Sequence, residues 1–125
     1  MNKTTILLLF LSFFFSYASS QEIKFKDHKY NFGFVREGDT VHMEFHFQNV
    51  GNKNLLIGEY VVECGCTVME PHSNPVLPGE KSVIKVSFDT TNKLDRQDRT
   101  VLIKSNALNS PSELRFKGVV LKKKE

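Results

Sequence analysis

Along VHMEFHFQN, residues 41 to 49, apolar and polar positions alternate without a break. Val41, Met43, Phe45 and Phe47 share one face; His42, Glu44, His46 and Gln48 share the other. A period of two is that of a strand with one side in a core and one in water. SVIKVSFD repeats the device with Ile84, Val86 and Phe88 inward, and TVLIKSN and ELRFKGVV predict two more strands through Val101, Ile103, Leu114 and Phe116. LLIGEYVV is a more continuous apolar run, which predicts a central strand, with Gly58 at a bulge or a close approach.

Breakers separate these runs: EGD at 37 to 39, NVGNKN at 49 to 54, LPGE at 77 to 80, TTNKLDRQD at 90 to 98 and NALNSPS at 106 to 112. Gly51, Pro78 and Gly79 are the turn residues within them. No segment sustains a capped 3.6-residue apolar pattern, so no long helix is expected. The pattern predicts an all-β fold, an immunoglobulin-like antiparallel β-sandwich of about seven strands, in preference to a barrel.

The chain begins differently. MNKTTILLLFLSFFFSYASSQ has Lys3 near its start, an apolar run from Ile6 to Leu11 and on through Phe15, and small residues at Ser16, Ala18 and Ser20. This is the layout of a secretory signal peptide over residues 1–20, cut after Ala18 or Ser20. The run is shorter than the roughly 20 residues a membrane span needs, so no span is expected after cleavage. A sandwich domain over 21–121 and a short basic tail, 122–125, remain. The expected location is periplasmic or secreted.

Charge narrows the partners. Seventeen Lys and Arg face fourteen Asp and Glu, and Lys3 leaves with the leader, so the mature surface is nearly balanced and does not call for nucleic acid. The three lysines of LKKKE read as a solvated tail. The mature domain keeps no Trp, and its two cysteines are two residues apart, so no bridge can join the sheets as in antibody domains.

The chemistry is confined to VVECGCTVMEPHSNPVLPGE, residues 61 to 80. In an extended strand Cys64 and Cys66 would project to one side with Cα atoms about 6.7 Å apart, the outer limit for a disulfide. A kink at Gly65 would shorten that distance, and glycine also has positive φ open to it. Four readings stand: a Cys64–Cys66 disulfide, thiols that only shape a turn, soft-metal binding, and a nucleophile with His72 as base. For metal, two thiolates suit Cu(I), with Met69 or His72 as a third ligand; zinc would need Glu63 or Glu70 to complete four. The spacing is not the Cys-x-x-Cys of thioredoxins. His42 and His46, on one strand face, lie roughly 13 Å apart and read as solvent residues. The prolines Pro71, Pro75 and Pro78 predict a rigid loop.

In order, YNFGFVREGD, FHFQNVGNKNLLI, VVECGCTV, PVLPGEKSVIKVSFDTTNK, IKSNA and LRFKGVV resemble the exported bacterial family called domain of unknown function 1573. The resemblance spans the whole mature chain and is most specific from Asn49 to Asp89. It implies an immunoglobulin-like domain of the type shared by major sperm protein and Hydin, and implies little about activity. One departure is visible: NKLDRQD, after Thr91, lacks the glycine expected there. The combined expectation is an exported, non-catalytic module with no cofactor, binding a protein or cell-envelope component. The alternative is a copper-binding or thiol redox protein using Cys64 and Cys66.

Overall fold

The computed structural model describes residues 20–124, so the expected leader lies, apart from Ser20, outside the described residues. Eight strands follow in order: β1 (Ile23–Phe25), β2 (Lys29–Arg36), β3 (Thr40–Asn49), β4 (Ile57–Val62), β5 (Thr67–Met69), β6 (Lys81–Asp89), β7 (Asp95–Ser105) and β8 (Ser112–Leu121). They form two four-stranded sheets, β1-β3-β6-β5 and β2-β8-β7-β4. The fold is the expected all-β immunoglobulin-like sandwich. Among the described residues no helix is long and apolar enough to cross a membrane.

Alternation places the core as read from the sequence. Met43, Phe45, Phe47, Ile84, Val86 and Phe88 face inward from one sheet, and Val101, Ile103, Leu114 and Phe116 face them from the other; all are buried. Stacked sheets hide one side of each strand, and period-two sequences satisfy that geometry. Where an antibody domain has a tryptophan and a bridge, this core has rings. Phe32, Phe88 and Phe116 meet with centroids 5.2 to 6.3 Å apart, within the range of favourable tilted packing.

Three strands are too short or too interrupted for the sequence pattern to show them. β1 and β5 are three residues each. β2 is interrupted at Asn31/Gly33 by a register shift against β8, where Gly33 takes φ 70°. The Phe32 ring lies where a Cβ on Gly118 would sit, so the bulge turns an aromatic onto a glycine of its partner strand. β2 also runs parallel to β8, whereas every other strand pair is antiparallel.

Two expectations need correction. LLIGEYVV does not form a central strand: β4 ends its sheet, pairing only with β7, and Val61 is exposed. Leu55 and Val76 absorb part of the apolar run instead; both are buried, in a bridge between two loops. Gly58 does sit at a register shift, and a Cβ there would lie 3.3 Å from the Lys104 carbonyl oxygen. The second correction concerns TTNKLDRQD: β7 starts within it, at Asp95. The missing glycine is replaced by Asn92 and Asp95, at φ 62° and 66°, residue types that tolerate the left-handed region better than most.

The candidate site at the Cys-Gly-Cys turn

β4 ends one sheet and β5 ends the other, and Glu63 to Cys66 carry the chain between them. The Thr67 N–H donates to the Cys64 carbonyl at 3.2 Å, closing a tight turn, and the Asp89 N–H donates to the Cys66 carbonyl at 2.8 Å, tying the turn to the end of β6. Cys64 and Cys66 are paired in a disulfide with Cα atoms 5.3 Å apart. The turn supplies the shortening that an extended strand lacks. Positive φ is found at Gly33, Gly38 and Gly79 but not at Gly65, and a Cβ on Gly65 would meet nothing within 4 Å. Both cysteines are half-buried, and Cys66 packs on the core.

The remaining candidates do not gather there. Cys66 meets Asp89, at one end of β6, while His72 meets Ser82, with Nε2 2.7 Å from Oγ. Seven residues of β6 separate those points, roughly 23 Å along the strand. The His72 ring lies edge-on to Phe47 at 5.7 Å, so it serves neither as a base nor as a ligand for the sulfurs. Met69 is buried in the core opposite Val86. Glu63 is held by the Thr100 hydroxyl and faces Arg99 at 3.9 Å. Among the described residues, no three of His, Cys, Asp or Glu converge so as to hold a metal ion. His42 and His46 are exposed, as read from the alternation, with His46 Nε2 3.6 Å from Glu44.

Two residues that the sequence reading passed over organise the loops at opposite ends of the β3–β6 pair, Thr90 beside the cysteine turn and Asn49 at the far end. Asn49 is fully buried; its Nδ2 donates to the Lys53 and Val76 carbonyls at 2.7 and 2.8 Å, and its Oδ1 accepts from the Gly51 N–H at 3.0 Å. Its main chain bonds Glu80 and Gly79. One side chain thus joins the NVGNKN loop to the proline loop, and LPGE closes as a turn with Glu80 N–H on the Leu77 carbonyl and Gly79 at φ 83°. Thr90, also fully buried, donates to the Asp39 carbonyl at 2.6 Å and accepts from the Gly38 N–H at 3.0 Å, clamping EGD. Asp89 accepts from the Thr91 N–H and hydroxyl, which holds its carboxyl below the usual carboxylate range. The signal for both was present as a polar residue closing an alternating run, in FQN and in FDTT.

The family Protein of unknown function (DUF1573) matches residues 23–120. The chain belongs to this family. That span contains both sheets, the Cys-Gly-Cys turn and both buried staples. No curated protein sequence matches the chain closely enough to count as a relative.

Solved structures share the sandwich at low identity. A protein of unknown function from Porphyromonas gingivalis W83 is similar with a TM-score of 0.69 at 14% identity, over 85% of this chain and 50% of that one. This chain therefore spans half the length of that protein. The PapD-like domain 7 of human CEP192 is similar with a TM-score of 0.63 at 10% identity, over 84% of this chain and 89% of that one. The chaperone YadV gives 0.51 at 12% identity, over 83% and 52%. Likeness at these identities is a statement about fold.

Proposed function

We propose that this chain is an exported, non-catalytic interaction module of the cell envelope that binds a protein or another envelope component through its strand edges. The observation that carries the reading is where the large apolar side chains remain in solvent. Phe34 on β2 is 74% exposed, and Val61 on β4 and Val68 on β5 are each 48% exposed, and all three strands end a sheet. Edge strands offer unpaired N–H and C=O groups, and soluble proteins usually blunt them with charge or proline. Apolar side chains beside such groups favour pairing with another chain. A chaperone, YadV, carries the same kind of sandwich, which fits a protein partner, and the leader-like residues 1–20 support export.

The test is cross-linking of the exported protein on intact cells, read by mass spectrometry, beside a variant carrying Phe34→Ser, Val61→Ser and Val68→Ser. The expected result is a reproducible partner that the variant loses while its thermal unfolding stays cooperative. Recovery of no partner above background would sink the reading; full recovery by the variant would move the contact away from these three side chains.

A second reading, thiol exchange, has one observation in its favour: both sulfurs sit half-exposed in a surface turn. Equilibration with glutathione decides it, since a pair that forms no mixed disulfide and takes no electrons from glutathione has no exchange role.

A further inference from the structure

We propose that the open edge of β3 at His42 and Glu44, together with the cavity beside it, takes an extended peptide segment of a partner protein with apolar side chains at alternate positions. The inference rests on the interaction-module reading and names the place and the chemistry. Its origin is the chain's change of sheet after β1. β1 pairs with β3 over Ile23↔Asn49, Lys24↔Gln48 and Phe25↔Phe47, and the last bond runs from the Lys26 N–H to the His46 carbonyl at 2.9 Å. The chain then leaves for the other sheet. His28 accepts the Arg115 N–H at its carbonyl, places Nδ1 3.1 Å from the Glu113 carbonyl and lies tilted against the Phe25 ring at 5.2 Å. β3 continues to Thr40 with only β6 beside it.

Parity decides which groups are left open. Asn49 spends its N–H and C=O on Glu80 and Gly79, on the β6 side, while the Val50 N–H and the His46 carbonyl bond Glu22 and Lys26, on the β1 side. Main-chain groups alternate in direction along an antiparallel strand. His42 and Glu44 therefore aim an N–H and a C=O each away from β6, where β1 no longer runs. The two pairs stand about 6.8 Å apart, the repeat of an extended chain. Peptide backbone matches this row of donors and acceptors.

A cavity of about 500 Å³ opens at the same place, lined by Lys26, Asp27, Tyr30, His42, Phe45 and His46 among others. The Tyr30 and Phe45 rings form its aromatic side, 6.0 Å apart. β1 shows what an occupant of this edge looks like: Ile23 and Phe25 are buried and Lys24 between them is exposed. A guest that prolongs this ladder turns its next inward side chains toward Phe45 and Met43, past Tyr30. Alternate apolar residues are thereby selected.

The experiment uses the mature protein and a panel of short acetylated, amidated peptides that alternate valine, leucine or phenylalanine with threonine. Amide exchange is read residue by residue. At about ten times the dissociation constant, a binding peptide should slow exchange of the His42 and Glu44 amides about tenfold. Glu44→Pro should abolish binding and keep the fold, because that N–H is not part of the β3–β6 ladder and proline is tolerated on open edges. If that variant does not fold, protection in the unaltered protein decides alone. Peptide protection at β2 or β4 amides instead overturns this inference and leaves the interaction-module reading intact. Failure of the whole panel to bind, while cross-linking still recovers a partner, has the same meaning. Concentration-dependent protection of His42 and Glu44 without peptide would make a second copy the occupant and overturn the partner peptide.

Discussion

Asn49 is the residue on which the NVGNKN loop and the proline loop depend, at the end of the β3–β6 pair away from the cysteine turn. Its side chain satisfies two carbonyls and one N–H in a fully buried position, and a buried polar group deprived of its partner costs about 1 to 3 kcal/mol. Asn49→Ala should lower stability by about 2 to 4 kcal/mol in urea unfolding, since it strands the Gly51 N–H and the Lys53 carbonyl and leaves the Val76 carbonyl only the Leu55 N–H; a loss below about half a kcal/mol would show that water replaces the amide. Two glycines make a matched comparison. A Cβ on Gly51 would overlap the Ser20 carbonyl oxygen and lie 2.7 Å from the Glu22 nitrogen, all backbone, whereas one on Gly65 meets open space at ordinary φ. Gly51→Ala should destabilise by at least about 1 kcal/mol and Gly65→Ala should be neutral or slightly stabilising, through the unfolded chain. Equal effects on thermal midpoints would contradict the close approach at Gly51.

At the scale of elements, the disulfide joins residues too close in sequence to restrict the unfolded chain much. The loop-entropy relation gives about 1.5 kcal/mol for a ring this small, so Cys64→Ser with Cys66→Ser should leave a folded protein within roughly 2 kcal/mol of the original. Unfolding of the double variant at ambient temperature would show that the turn carries far more than its bridge. The β7–β8 pairing has its own pH signature. Arg115 bonds both Asp98 oxygens, at 2.7 and 2.6 Å, and that hydrogen bonding holds the Asp98 carboxyl below the usual range. A carboxyl lowered in the folded state contributes stability above its unfolded pKa of about 3.9 and loses it as pH falls through the folded value. Stability should therefore fall with acid below about pH 4, and less steeply in Asp98→Asn; identical slopes would assign the acid response to Asp89 and the other carboxyls.

For the whole molecule, the phenylalanine cluster does the work that an inter-sheet bridge does elsewhere. Phe88 and Phe116 are fully buried, 5.2 Å apart and from opposite sheets. Phe116→Ala should cost about 3 to 5 kcal/mol, a large part of the 5 to 15 kcal/mol typical of a domain, and calorimetry should show a midpoint many degrees lower. A small shift would mean that Phe32, which meets both rings, slides into the space. The same architecture explains where binding is sought. A sandwich spends its alternating residues on one core, and what remains for partners is the four strands that end the sheets and the half of β3 that β1 leaves uncovered.

The sequence by itself determined the class of fold and most of the core, because a period of two dictates which side of a strand is hidden wherever that strand sits. It also determined the turns at EGD and LPGE, where glycine answers a local backbone demand at Gly38 and Gly79. Tertiary structure alone decided sheet order. LLIGEYVV became an edge because its apolar side chains were divided between a strand and a loop bridge, which periodicity cannot distinguish from two-sided burial. It alone decided that Cys64 and Cys66 meet while Met69 and His72 are carried away along β6, since distance across a sheet depends on register and not on separation in the chain. The open edge of β3 belongs to the same category: an alternating run shows which side chains are buried, but which backbone groups find a partner is settled only when a neighbouring strand stays or leaves.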